Sequence, residues 1–335
     1  MLIISEEEVL KNYSMKQCIE DVERAFELSK RSEIVIPFRT LMHQGDDGAH
    51  TLYMPSFVPE INYSAVKIAS IFPGNEEYNV PRIQSTIVLS ESKTGQHVAN
   101  IAASALTMLR TGAISGVATK HLAREDARTL SVIGCGVQSF GQILAIMEVR
   151  DIDKIYLYNR TKNKAFDLKE KVTKQYPNWN GEILIVDAAN DAVSKADIIV
   201  SSTSANTPVF SGEYLNAGTH INAIGSCEPT KQEYDVETLK KANKVVVDTL
   251  EGAKGEAGGL VIPNEKGEWS IENIYSELAD IVVGEKVGRE NKEEITILDS
   301  VGVGFLDTVC AASIYESFKK QDEKYSEFIK CNPLI

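Results

Sequence analysis

Beyond about residue 115 the chain alternates short β-rich apolar runs with helical ones. Runs near 129–133, 155–158, 183–186, 198–201, 220–224 and 244–247 read as strands, with helices between most of them. That rhythm predicts an α/β fold, a Rossmann-like doubly wound parallel sheet. After the first run, Phe140, Ile143, Leu144 and Met147 recur at helical spacing and are expected to pack on the sheet. Residues 252–268, with Gly252, Gly255, Gly258, Gly259 and Gly267, read as a mobile loop.

The first 110 residues follow another pattern. Asn12–Arg31 reads as an amphipathic helix, and Thr51–Met54, Ala65–Phe72 and Gln84–Ser90 as strands closed by turns at Pro73-Gly74-Asn75 and Lys93-Thr94-Gly95. A separate α+β domain is expected. Leu306–Lys320 has a helical pattern beyond the last expected strand and is expected to pack back on that domain. The boundaries are drawn at 1–112 with 306–335 for the α+β domain and 113–305 for the sheet domain.

A length of 335 residues suits two domains, and 43% apolar composition suffices for buried cores. A formal charge of −13 argues against a nucleic-acid partner, which requires a concentrated basic face. The N-terminal Met-Leu-Ile-Ile-Ser lacks the basic flank and long apolar core of a signal peptide. No apolar stretch approaches membrane-spanning length, so a cytoplasmic protein without a membrane partner is expected. Cys18, Cys135, Cys227, Cys310 and Cys331 are scattered and lack a Cys-x-x-Cys pair, and the histidines have no metal-ligand spacing. Neither a disulfide framework nor a metal site is expected. A Gly-x-Ser-x-Gly nucleophile elbow is absent from the sequence.

The chemistry begins at residues 129–141, where an apolar strand breaks into Gly134-x-Gly136. Gly134 suits a tight turn and Gly136 a close backbone approach to a pyrophosphate. The helix starting near Val137 offers first-turn N–H groups to negative charge. Ser139 stands where a third glycine or alanine is usual; it is small enough for helix–strand packing. The second strand ends in Asn159-Arg160-Thr161, where a dinucleotide fold meets the adenosine ribose. A guanidinium and a hydroxyl, with Lys162 and Lys164 behind them, suit a 2′-phosphate, so NADPH is expected, with NADH as the alternative. Ser202 and Thr203, after the 198–201 strand, complete the expected cofactor contacts.

Three cations sit in apolar surroundings: Arg39 after Ile-Pro-Phe, Lys67 inside Ala-Val-Lys-Ile-Ala, and Arg110 inside Met-Leu-Arg-Thr-Gly-Ala. Such a cation must be paired, reach solvent or act. Together they suit a small carboxylate, with arginine as a fork and lysine as a point charge or proton. Gln84 and Thr86 alternate on one strand face and offer neutral hydrogen bonds.

These residues resemble the ornithine cyclodeaminase and mu-crystallin family over nearly the whole chain. The matching segments are Val66-Lys67-Ile-Ala-Ser-Ile-Phe-Pro-Gly-Asn75, Val98 through Ala113, the Gly134-x-Gly136-x-Gln138 turn, and Leu298-Asp-Ser-Val-Gly302. The resemblance implies a homodimer built through an N-terminal substrate-binding and dimerisation domain, completed by the C-terminal helix, plus a Rossmann domain. It implies that Arg39 and Arg110 hold a substrate carboxylate while Lys67 lies at the reacting carbon, with the nicotinamide between the domains.

The family includes ornithine cyclodeaminases, alanine dehydrogenases and imine reductases. The cyclodeaminases, and some alanine dehydrogenases, place an aspartate two residues before the proline of Ile224-Gly-Ser-Cys-Glu-Pro-Thr-Lys-Gln-Glu233; here that position is Cys227. A mostly protonated thiol cannot hold a distal ammonium as a carboxylate does, although Glu228 is adjacent. The expectation is an NADPH-dependent ketimine reductase acting on Δ1-pyrroline-2-carboxylate or Δ1-piperideine-2-carboxylate, giving L-proline or L-pipecolate. The alternatives are ornithine cyclodeaminase, then alanine or N-alkyl-amino-acid dehydrogenase, then a non-catalytic NADPH or small-ligand binder.

Overall fold

A computed structural model describes residues 1–45, 48–226 and 228–331, with the backbone alone for Glu76 and 321–331. The chain forms two compact units, one of residues 1–110 with 304–335 and one of Thr111–Val303.

The first unit begins with β1 (Leu2–Ile4), α1 (Glu6–Asn12) and α2 (Met15–Arg31). Ser14 caps α2 by accepting the Gln17 N–H at 3.1 Å, which separates α1 from α2 where a single helix from Asn12 was expected. One face of α2, Cys18, Ile19, Val22, Ala25 and Phe26, is buried. Five further strands follow: β2 (Thr40–His43), β3 (His50–Val58), β4 (Tyr63–Ile71), β5 (Ile83–Glu91) and β6 (His97–Ala102). Among the described residues the sheet order is β1-β6-β5-β4-β3-β2, with β1 parallel to β6 and the other pairs antiparallel. Helix α3 (Ser104–Leu122) starts in this unit, and the Glu6 carboxylate accepts the N–H groups of Ser104 at 2.8 Å and Ala105 at 2.6 Å. An acid at a helix N-terminus satisfies two orphan donors and complements the dipole.

The second unit carries β7 (Thr129–Ile133), α4 (Val137–Val149), β8 (Lys154–Tyr158), α5 (Lys162–Gln175), β9 (Glu182–Ile185), α6 (Ala189–Val193), β10 (Ile198–Ser201), β11 (His220–Ala223), α7 (Val236–Lys241) and β12 (Lys244–Val247). It ends with α8 (Leu250–Glu256), α9 (Gly258–Glu265), β13 (Ser276–Glu277), α10 (Leu278–Val282) and β14 (Thr296–Asp299). The sheet order is β13-β12-β14-β11-β10-β7-β8-β9, all pairs parallel. The chain runs outward from β7 through β8 and β9, then returns to β10 on the other side of β7. A doubly wound sheet of this kind has its topological switch point between β7 and β10.

The expected loop at 252–268 is instead helical across most of α8 and all of α9. Gly258 and Gly259 serve close approach. A Cβ on Gly258 would lie 2.1 Å from the Lys231 carbonyl oxygen, and one on Gly259 2.6 Å from the Tyr234 hydroxyl.

The last helix, α11 (Gly304–Cys331), belongs to the first unit and lies against α2 and strands β3, β4 and β5. Phe305 meets Phe26 edge to face at 6.0 Å, and the Ser56 hydroxyl donates to the Gly304 carbonyl at 3.1 Å.

Candidate active site

In the first unit, alternation along β4 sends Tyr63, Ala65 and Lys67 to the buried face, opposite Ile87 and Leu89 of β5. Lys67 is 3% exposed, Arg110 7% and Asp307 2%. The Lys67 ammonium donates to Asp307 Oδ2 at 2.6 Å, and Arg110 Nε donates to Asp307 Oδ1 at 3.1 Å. One carboxylate therefore bridges two cations from a strand and a helix, leaving the group with a net positive charge. Burial and the Arg110 charge push the Lys67 amine down to about 8; Asp307 opposes that shift and Arg39 adds to it. Burial alone would raise Asp307, but the charges of Arg110 and Lys67 and their hydrogen bonds hold it below the ordinary carboxylate value.

Arg39 is half-buried just before β2, where Thr40 pairs with Tyr53. Continuing that register by one residue puts Arg39 in line with Met54 and hence Lys67. Gln84 and Thr86 are not brought to this group. They lie opposite Ser70 and Ile68, so they project from the other face of the sheet. The Thr86 hydroxyl is also committed to Asn100 Oδ1 and to the Ile101 carbonyl.

Asp307 is the residue that sequence reasoning missed. Its signal is the same as that of the cations, a charge inside an apolar helical run, Phe305-Leu-Asp-Thr-Val309.

In the second unit, Gly134 has φ +91°, and a Cβ there would lie 2.4 Å from the Ser202 carbonyl oxygen and 2.8 Å from Thr203 Cγ2. Ser202 and Thr203 thus form the wall beside the glycine turn. Gly136 faces open space, with nothing within 4 Å of a Cβ. It caps α4, whose first-turn N–H groups, including those of Val137 and Gln138, lack helical carbonyl acceptors. Gln138 Oε1 is buried with no hydrogen-bond partner. An open glycine, a helix N-terminus and an orphaned polar atom fit a pyrophosphate and its ribose.

Ser139 does more than stay small. Its hydroxyl donates to the Gly134 carbonyl at 2.7 Å and accepts the Gly136 N–H at 3.2 Å, bracing the turn. Asn159 Oδ1 accepts the Cys135 N–H at 2.9 Å while its amide donates to the Thr161 carbonyl at 2.9 Å. Asn159 therefore ties the end of β8 to the glycine turn. Arg160 and Thr161 are exposed; Arg160 has no ion pair among the described residues, and the Thr161 side chain makes no cap bond to α5. Lys162 is paired with Asp187 at 2.6 Å. Glu228 is exposed and its carboxylate accepts from Lys231. Cys227 lies outside the described residues.

A glycine turn of this kind at the switch point of a parallel sheet marks a dinucleotide-binding oxidoreductase. The chain belongs to the ornithine cyclodeaminase/mu-crystallin family, whose model matches residues 1–322. A Delta(1)-pyrroline-2-carboxylate reductase of Bacillus cereus (strain ZK / E33L) is 41% identical over 317 residues, covering 94% of this chain and 96% of that protein. Among solved structures, the Thermococcus litoralis Delta(1)-pyrroline-2-carboxylate reductase in complex with NADH and L-proline superposes with a TM-score of 0.91. It is 38% identical and covers 96% of this chain and 98% of its own. An archaeal alanine dehydrogenase dimer with bound NAD has a TM-score of 0.87 and 33% identity, over 96% of this chain and 97% of that one.

Proposed function

We propose that this protein is an NAD(P)H-dependent reductase of cyclic ketimine carboxylates, converting Δ1-pyrroline-2-carboxylate to L-proline and, as a second substrate, Δ1-piperideine-2-carboxylate to L-pipecolate. The observation that carries this reading is the buried Lys67–Asp307–Arg110 group, in a chain alike over nearly its full length to pyrroline-2-carboxylate reductases. Its net positive charge suits an anion, and its lysine holds a transferable proton.

Reduction adds a hydride to the imine carbon and a proton to its nitrogen. A reduced nicotinamide, when bound, supplies the hydride. Arg39 and Arg110 hold the substrate carboxylate, the second with its Nε fixed by Asp307 so that the fork does not swing. With its amine near 8, Lys67 is mostly charged at neutral pH and can release a proton to the forming amine. Gly134, Gly136, Val137 and Gln138 would hold the pyrophosphate. Ser202 and Thr203 would form the adjoining wall, and Asn159, Arg160 and Thr161 would meet the adenosine ribose.

We also propose a preference for NADPH over NADH, supported by the exposed guanidinium of Arg160. Cys227 and Glu228 are assigned to the substrate pocket. A cyclic imine needs no acid for a distal amine, which agrees with a thiol at position 227. The pairing of Glu228 with Lys231 speaks against Glu228 as a replacement acid. A homodimer is proposed from the archaeal relative, and exposed Phe38, Leu41 and Met42 beside and within β2 are consistent with it.

The test is NADPH and NADH consumption with pyrroline-2-carboxylate, piperideine-2-carboxylate, and pyruvate plus ammonia or methylamine. Turnover of the cyclic imines well above that of pyruvate supports the proposal. Dinucleotide binding without turnover on any of them would make the chain a binding protein instead.

A further inference from the structure

Glu233 is fully buried in the second unit, beyond the residues assigned to cofactor or substrate above. Its Oε1 accepts the Ser201 hydroxyl at 2.8 Å and the Thr203 N–H at 2.5 Å, and its Oε2 accepts the Gly225 N–H at 2.8 Å. One carboxylate thus joins the segments leaving β10 and β11. These segments are in close contact: a Cβ on Gly225 would lie 2.2 Å from the Thr203 carbonyl oxygen and 2.4 Å from its nitrogen. Gly134 presses on the same segment from the other side, through Ser202 and Thr203. The result is a stack of three carboxyl-end segments, after β7, β10 and β11, with Glu233 as its pin. A buried carboxylate is costly unless hydrogen bonds satisfy it. Here burial raises its pKa while the Ser201, Thr203 and Gly225 donors pull it down, for a net rise.

The backbone of Glu233 is held independently of its side chain. Its carbonyl accepts the Val209 N–H at 2.8 Å, and the next residue, Tyr234, donates its hydroxyl to Asp299 Oδ2 at 2.5 Å. Its carboxyl group is therefore free to serve the two loops it joins.

We propose that Glu233 is a positioning residue for the dinucleotide: it touches no ligand, but presets the Thr203 and Gly225 backbone that forms one wall of the switch-point crevice. The proposal rests on the dinucleotide reading above and deepens it. Glu233→Gln keeps the size but turns an N–H pair toward a backbone N–H, so one loop must shift. Ser201→Ala removes a single donor and leaves both backbone bonds. Val172→Ala, in the buried last turn of α5, serves as a destabilised control.

The measurement is a fluorescence titration with NADH and with NADPH, paired with the thermal midpoint of each variant. Glu233→Gln is expected to weaken both dinucleotides alike by roughly tenfold or more, and Ser201→Ala by a few-fold, since a charge-assisted hydrogen bond is at stake. Val172→Ala should lose thermal stability with its affinities unchanged. Glu233→Gln binding within twofold of wild type would overturn the proposal. So would losses that merely track the thermal midpoint across all three variants. If Glu233→Gln does not fold, unchanged affinity in Ser201→Ala overturns it. Wild-type protein that binds neither dinucleotide would overturn the dinucleotide reading itself, and this proposal with it.

Discussion

Lys67 has almost no contact with solvent, and its amine is held near 8 by burial and two arginine charges against a single carboxylate. A lysine used as proton donor in reduction should work while protonated. The reductive kcat/KM is therefore expected to fall as pH rises through about 8, and Lys67→Met should lose most activity together with that descending limb. The check is kcat/KM for the imine as a function of pH; a limb that survives in Lys67→Met places the proton elsewhere. Arg160→Asp puts a carboxylate where a 2′-phosphate is expected and gives a ribose hydroxyl an acceptor. NADPH affinity should drop by at least tenfold while NADH affinity holds or improves, read by titration with each cofactor. Lys67 and Arg110 were legible because a cation in an apolar run must find a partner. Asp307 offers the same signal but was not legible, because it stands 240 residues from Lys67 and 197 from Arg110 and nothing in the sequence pairs them. Gln84 and Thr86 do not share a face with Lys67, which the sequence could not show because alternation gives two faces without saying which one Lys67 takes. Only the β4–β5 register decides it.

Among the described residues, helix α11 joins the two cations into a group by supplying the carboxylate they share. Asp307→Asn leaves Lys67 and Arg110 buried and mutually repelling, so a loss of about 3–5 kcal/mol is expected in denaturant unfolding. The sign of the accompanying pH change is fixed. Asp307 raises the Lys67 pKa, so its removal must move the descending limb below about 8. A limb that stays or moves upward would contradict the pairing. The helix pattern at Leu306–Lys320 was readable, but its start at Gly304 was not, because the preceding Ser-Val-Gly run gives no strong cap. Strand β14 lies inside the sheet, between β12 and β11, and was not read from the sequence, where Thr296–Asp299 follows the charged run 289–294. At α8 and α9 the glycines misled. Glycine marks freedom of the backbone and closeness of neighbours with the same letter, and here packing against Lys231 and Tyr234 uses the second property.

For the whole molecule, the doubly wound sheet was legible because strand and helix periods alternate over nearly 200 residues. The first unit was legible as α+β, but its edge strands β1 and β2 and strand β6 were not, being short or weakly patterned. Among the described residues no helix is long and apolar enough to cross a membrane. The proposed homodimer predicts a solution mass near twice the 36.9 kDa chain by light scattering; a monomer at micromolar concentration would remove it. The central claim is that the chain reduces a ring already closed rather than closing one. Its most direct test gives the unmodified protein pyrroline-2-carboxylate with NADPH or NADH in one vessel and L-ornithine with NAD+ in another, following L-proline and ammonia in both. Rapid L-proline formation from the imine, with little or no ammonia from L-ornithine, is the predicted result. Robust ammonia and L-proline from L-ornithine would contradict it.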